Sequence, residues 1–89
     1  MNIQDHLRIK PVLERANYML ATLYANNKIP SDIRVCFTVN TYINKGFQNI
    51  PYLTFSHNSE KSFSDIFTIL NKYLPQDIME KVKLPQNKI

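Results

Sequence analysis

The stretch IRVCFTVNTYINKGFQNIPYLTF, residues 33–55, decides the fold of this chain. Apolar residues alternate with polar or mixed ones from Ile33 to Ile43, and only Thr41 interrupts the apolar series. A period of two indicates a strand that buries one face and leaves the other open. A second alternating run ends at Phe55, so we predict an antiparallel β-hairpin.

The turn between the two runs sets which residues pair. Reading Asn44, Lys45 and Gly46 as a three-residue loop places the glycine at a left-handed position, which such hairpins favour. The pairs predicted by this loop are Ile43 with Phe47, Val39 with Pro51, Phe37 with Leu53 and Val35 with Phe55. A loop longer by one residue would turn the apolar residues of the second strand away from the core. Pro51 has no backbone N–H, so we expect the second strand to lie at a sheet edge there.

A helix is predicted on each side of the hairpin. Pro11 suits the first turn of a helix from Pro11 to Ala25, which Asn26 and Asn27 end before Pro30. Residues 2–10 fit either a helical turn capped by Asn2 or an extended segment. After a polar loop, Ser62 caps a second helix with Asp65 in its first turn. Its apolar stripe comprises Phe63, Ile66, Phe67, Leu70, Tyr73 and Leu74.

Pro75 either ends the second helix or begins a short third helix over 76–83, and residues 85–89 are expected to form a frayed tail. The predicted fold class is α+β, in the order α-β-β-α(-α). The hairpin is expected to be packed on one face by two main helices. A chain of 89 residues is long enough for one small core, so we predict a single domain over 1–89.

Composition limits the classes of protein to which the chain can belong. The single cysteine excludes an intramolecular disulfide framework, and no apolar run is long enough to span a membrane. We therefore expect a cytoplasmic protein without membrane contact. The net charge of +4 is spread along the chain. This charge is compatible with an acidic partner but does not require one. Frequent Asn, Ile and Lys with one glycine indicate an AT-rich gene, as many mobile elements have.

Few residues are suited to catalysis or metal binding. Cys36 and His57 fall on opposite faces of the predicted hairpin, which disfavours a Cys–His nucleophile pair. No spacing of Cys and His suits a metal, and a single glycine rules out a phosphate-binding loop. We therefore predict no enzyme activity, no cofactor and no metal site.

The outer face of the hairpin is the remaining candidate site. Tyrosine, arginine and isoleucine on a strand face are typical of recognition surfaces. The predicted partner-binding residues are Arg34, Tyr42, Lys45, Ile50 and Tyr52. The alternative, which stays open, is that this face has a structural role and that the third helix or the amino-terminal segment covers part of it.

Two function classes follow. The favoured one is a small non-catalytic module that binds another protein, such as an inhibitor, an immunity-type factor or a regulator. The alternative is a nucleic-acid-binding protein that uses the basic and aromatic residues of the hairpin. Two copies pairing through hairpin edges would build a four-stranded sheet, so a homodimer is a candidate assembly.

Overall fold

The computed structural model describes residues 3–85, with side chains described from Leu7 onward. The elements are α1 (Ile3–Ala25), β1 (Val35–Ile43), β2 (Asn49–His57), α2 (Phe63–Tyr73) and α3 (Gln76–Met79). The strands form a two-stranded antiparallel sheet. The predicted class and element order are confirmed. Asn2 and nearly all of the predicted tail lie outside the described residues.

Helix α1 begins earlier than the proline signal predicts. Pro11 lies inside a continuous helix from Ile3, although a proline within a helix costs about 3 kcal/mol. Ile9 provides the reason for the extension, because it is only 2% exposed and belongs to the core. Burying such a side chain contributes roughly 1.5–3 kcal/mol, which offsets much of the proline penalty. The prediction that Pro11 begins the helix is therefore wrong.

Helix α1 ends at Ala25, as the sequence predicts. Asn27 has φ 56°, the left-handed conformation expected of a helix end. The Lys28 N–H donates to the Leu23 carbonyl at 2.9 Å, and the Asn27 N–H donates to the Tyr24 carbonyl at 3.1 Å. The Tyr24 hydroxyl donates to the Ile33 carbonyl and accepts from the Val35 N–H. The end of the helix is thereby joined to the start of β1.

The hairpin register differs by two residues from the predicted one. The predicted pairs were Ile43–Phe47, Val39–Pro51, Phe37–Leu53 and Val35–Phe55; the observed ones are Ile43–Asn49, Val39–Leu53, Phe37–Phe55 and Val35–His57. A shift of two leaves every side chain on its predicted face. Leu53 and Phe55 are therefore buried as expected, and the Phe55 ring meets that of Phe37 edge-on at 6.4 Å.

The loop explains the shift. It consists of Lys45, Gly46 and Phe47, one position later than predicted, and it is closed by a hydrogen bond from Asn44 N–H to the Gln48 carbonyl. The Asn44 side-chain oxygen accepts from the Gly46 and Gln48 N–H groups at 2.9 and 3.0 Å. Phe47, with φ 61°, takes the left-handed position expected of Gly46.

The chain after α2 turns back to the sheet. Ser62 caps α2 as predicted, since its side chain accepts from the Asp65 N–H at 3.1 Å. Helix α3 ends at Met79, whereas the sequence predicted a helix to Lys83. It stops early because residues 81–83 pair with β2: Leu53 N–H donates to the Lys81 carbonyl at 2.7 Å, and Lys83 N–H donates to the Leu53 carbonyl at 2.8 Å.

One core joins all these elements on a single side of the hairpin. Helix α1 packs across both strands. The buried residues are Ile9, Ala16, Leu20, Ile29, Ile33, Phe37, Leu53, Phe55, Ile66, Leu70, Leu74, Ile78, Met79 and Val82. Ile43 and Phe47 lie beyond this core and are exposed, so the loop end of the hairpin projects from it. No helix in the described chain is both long and apolar enough to cross a membrane.

The loop geometry predicts different changes in stability for substitutions at two adjacent positions, Phe47 and Gly46. Phe47→Gly should raise the free energy of unfolding by about 1 kcal/mol, because a non-glycine residue pays roughly that amount in the left-handed region. Phe47→Ala keeps the Cβ atom and should give no such gain. Thermal and urea unfolding of both variants measures the difference, which corresponds to about 4–8 °C in Tm for a domain of this size.

Gly46→Ala tests the register independently. Gly46 has no positive φ, and an added Cβ would lie 3.5 Å from the Asn44 side-chain oxygen, an ordinary contact. The substitution should therefore leave stability within about 0.5 kcal/mol. A loss near 1 kcal/mol or more in urea unfolding would instead indicate the loop that places Gly46 in the left-handed conformation.

An exposed ion pair joins α1 to α3 and predicts a pH effect. The hydrogen bond from the Arg15 guanidinium holds the pKa of Asp77 below its ordinary value. Arg15→Ala should raise that pKa, while Arg15→Lys should raise it less, as seen in an NMR titration of the Asp77 carboxyl. Because the folded pKa is lowered, the stabilisation is present at neutral pH and is lost as pH falls through that pKa.

Candidate functional site

The outer face of the hairpin carries an aromatic and aliphatic cluster near its loop end. Tyr42 on β1 pairs with Ile50 on β2, and the rings of Tyr42 and Tyr52 lie 5.8 Å apart. Alternation along the strands directs all three side chains away from the core face. Tyr42 is 42% exposed, and the other two are half-buried. We call residues 42–52 the distal hairpin.

Two lysines lie close to this cluster. Lys83, on the segment that pairs with β2, places its Nζ atom 5.2 Å from the centre of the Tyr42 ring. Lys45 lies in the loop and is exposed. No Asp or Glu occurs between Asp32 and Glu60 in the sequence, so no carboxylate within the hairpin balances Lys45. The structure therefore presents tyrosine rings beside cationic groups.

Arg34 lies away from the other predicted residues. It is eight positions from Tyr42 along the first strand, which corresponds to about 27 Å. Its backbone is held at the opposite end of the sheet, where its N–H donates to the Asn58 side chain at 2.8 Å and its carbonyl accepts from the Asn58 N–H. The distal hairpin thus brings together Tyr42, Lys45, Ile50 and Tyr52, and Arg34 is not part of that group.

The prediction from the sequence did not include two exposed apolar residues of the distal hairpin. Phe47 is 90% exposed and Ile43 is 67% exposed, although the predicted pairing placed both on the core side. Asn44 could have indicated the correct loop, because asparagine favours the first position of a β-turn. A turn that begins at Asn44 has Phe47 as its fourth residue. The observed hydrogen bond from Phe47 N–H to the Asn44 carbonyl, at 3.0 Å, is that turn.

The reactive side chains do not converge. Cys36 pairs with Ser56 on the outer face, while His57 follows on the core face and its ring packs against that of Phe63 at 4.6 Å. The His57 Nδ1 accepts from the Ser59 N–H at 3.1 Å, so the neutral ring carries its proton on Nε2. Within the described residues, no group of three Cys, His, Asp or Glu side chains is placed to hold a metal ion.

A shallow depression of about 440 Å³ lies at the end of the hairpin opposite the loop. Asp32, Ile33 and the segment 58–61 line it, and it is broadly open to solvent. An open depression buries little of a small ligand, whereas ligand sites are usually enclosed clefts. The distal hairpin is therefore the better candidate site.

Thr54 provides a further test of the outer face. Its hydroxyl oxygen is buried and has no hydrogen-bond partner among the described residues. A buried hydroxyl without a partner costs free energy, and valine has nearly the same shape without that group. Thr54→Val should therefore raise the free energy of unfolding by about 1 kcal/mol in urea unfolding. Thr38→Val, at its exposed cross-strand neighbour, is the matched control and should change little.

The distal hairpin thus combines two tyrosines, two aliphatic side chains, one phenylalanine and a lysine at the projecting end of a small domain. Comparison with protein-family models, with curated proteins and with solved structures finds no match to this chain.

Proposed function

We propose that this chain is a small non-catalytic module that binds another protein through its distal hairpin. The observation that carries the proposal is the exposed apolar surface around the loop, where Phe47 is 90% and Ile43 is 67% exposed. Large apolar side chains grouped at one projecting site are typical of protein-binding surfaces. An inhibitor, immunity-type factor or regulator would use such a surface.

The backbone of Phe47 supports the same proposal. A bulky residue in the left-handed conformation costs about 1–2 kcal/mol, and glycine at that position would remove the cost. Strained positions that persist cluster at ligand-binding sites. The conformation directs a large ring outward from the loop, which suits insertion into an apolar pocket of a partner.

The chemistry of the surroundings defines the partner surface. The hairpin has Lys45 and no carboxylate, and Lys83 lies over Tyr42. A partner that receives Phe47 in an apolar pocket and offers neutral or acidic groups at the rim would complement this arrangement. A second copy of this chain is a further candidate partner, because a two-stranded sheet has edges that other strands can join.

Nucleic acid is the second candidate partner. Its support is the position of Lys83 over the Tyr42 ring, with the Tyr52 ring next to it and Lys45 in the adjoining loop, since stacking platforms flanked by cations bind single strands. Binding of this kind weakens steeply as salt rises, because phosphate contacts release counterions. The basic pI of about 9.3 agrees with it.

Site-specific photocrosslinking tests the proposal. A photoreactive phenylalanine analogue at position 47, in the organism that makes the protein, should give one discrete protein adduct. The matched control places the analogue at Tyr18, which is 75% exposed on α1 and should give no such adduct. Loss of the adduct on Ile50→Ala or Tyr52→Ala would place the contact on the distal hairpin. Equal adducts at both positions, or none at position 47, would contradict the proposal.

A salt series separates the two candidates. If nucleic acid is the partner, Lys45→Ala and Lys83→Ala should weaken binding of labelled single- and double-stranded probes uniformly across sequences, and Arg34→Ala, at the opposite end of the sheet, should weaken it less. If a protein is the partner, Tyr52→Ala and Ile50→Ala should be the damaging changes. Tight nucleic-acid binding that falls steeply between about 50 and 200 mM salt would replace the protein proposal by the second candidate.

A further inference from the structure

The two edges of the sheet differ in how much of their backbone is covered. On β2, Pro51 lacks an N–H, and residues 81–83 occupy the edge at Leu53. Both devices interrupt the β2 edge and so disfavour the pairing of another strand there. On β1, the Tyr24 hydroxyl occupies the edge only at its start, between Ile33 and Val35.

The backbone groups that face this edge follow from the pairing. Leu53 directs its N–H and carbonyl away from β1, so its pair with Val39 is not hydrogen-bonded. Val39 and the other odd-numbered residues of β1 therefore direct their backbone groups outward. The N–H and carbonyl groups of Phe37 and Val39 face outward. Among the described residues, neither Phe37 nor Val39 has a backbone hydrogen-bond partner at this edge.

The side chains of β1 do not protect the edge either. The strand reads VCFTVNTYI and contains no charge, proline or glycine over its nine residues. Edge strands that stay unpaired usually carry a lysine, a proline or a bulge. Two outward groups have a local side-chain partner: the Thr41 N–H donates to the Asn40 side-chain oxygen at 2.8 Å, and the Phe37 carbonyl accepts a weak hydrogen bond from the Cys36 thiol, with Sγ at 3.8 Å. A second uncharged strand could therefore approach without like-charge repulsion along the contact.

We propose that β1 pairs antiparallel with β1 of a second copy of this chain, making a four-stranded sheet with the order β2-β1-β1-β2. A two-fold axis at Val39 places Val39 opposite itself and Phe37 opposite Thr41, so each outward N–H meets an outward carbonyl. The pairing adds strands to a two-stranded sheet, which is marginal by itself. It does not depend on the proposed partner of the distal hairpin.

The interrupted β2 edge favours an assembly of two copies. Each chain has one open edge, and a two-fold contact uses that edge on both chains. At either end of the four-stranded sheet lies a β2 edge that is interrupted at Pro51 and at Leu53. A closed dimer follows, whereas two open edges per chain would allow an extended fibre. The two outer faces lie on the same side of the sheet, and the two distal hairpins lie at its opposite ends.

Amide hydrogen exchange tests the pairing on the wild-type protein. In a monomer, the Thr38 and Asn40 amides are bonded to β2 and protected, while the Phe37 and Val39 amides exchange fast. In the dimer, all four are protected, and protection of the two odd-numbered amides declines on dilution. The molar mass by sedimentation should then be twice 10.5 kDa at high concentration.

Thr41→Pro and Thr41→Ala form the matched pair of variants. Both remove the threonine side chain, but only proline removes the outward N–H and places a ring at the edge. Thr41→Ala should stay dimeric, and Thr41→Pro should sediment at 10.5 kDa with fast exchange at Phe37 and Val39. A wild-type protein that is monomeric at every concentration, with alternating protection along β1, would overturn the proposal. That measurement decides the matter even where Thr41→Pro fails to fold.

Discussion

The side chain of Asn44 fixes the position of every residue in the hairpin. Its oxygen accepts from two N–H groups of the loop, which selects the turn that begins at Asn44. The turn determines that Val39 faces Leu53 and that Phe37 faces Phe55. From that pairing follow the outward direction of the Leu53 backbone groups and their bonds to residues 81–83. Loop, core and sheet edge therefore depend on one short-range contact.

The same contact explains why the candidate site is exposed. With the loop at positions 45–47, Phe47 takes a left-handed conformation at the far end of the sheet and Ile43 extends past the core. The helices cover the core face of the sheet around Phe37, Leu53 and Phe55 and leave its loop end uncovered. The projecting end carries apolar side chains on both faces of the hairpin. A domain of this size thus separates a buried half that provides stability from an exposed half available for recognition.

Residue patterns predicted the class, the element order and the side-chain faces, because these depend on periodicity and on short-range capping. Asn27 and Ser62 act as their residue types suggest. The errors in the bounds of the helices came from long-range packing. Burial of Ile9 extends α1 past Pro11, and the bonds between Leu53 and residues 81–83 end α3 early. The sequence also favoured Gly46 over Phe47 for the left-handed position, although the asparagine turn decides otherwise. The candidate residues Tyr42, Lys45, Ile50 and Tyr52 were predicted as a group, while Phe47 was missed because its pairing was misread.

The segment that covers the β2 edge at Leu53 is synthesised after the hairpin itself. β2 leaves the ribosome before residues 81–83, so the nascent hairpin at first has no strand covering its second edge. Strand edges exposed on incomplete chains are sites of misassembly, especially on crowded polysomes. Pro51 lies on β2 itself and blocks part of this edge from the moment the strand forms. It protects the nascent chain during the interval before residues 81–83 arrive.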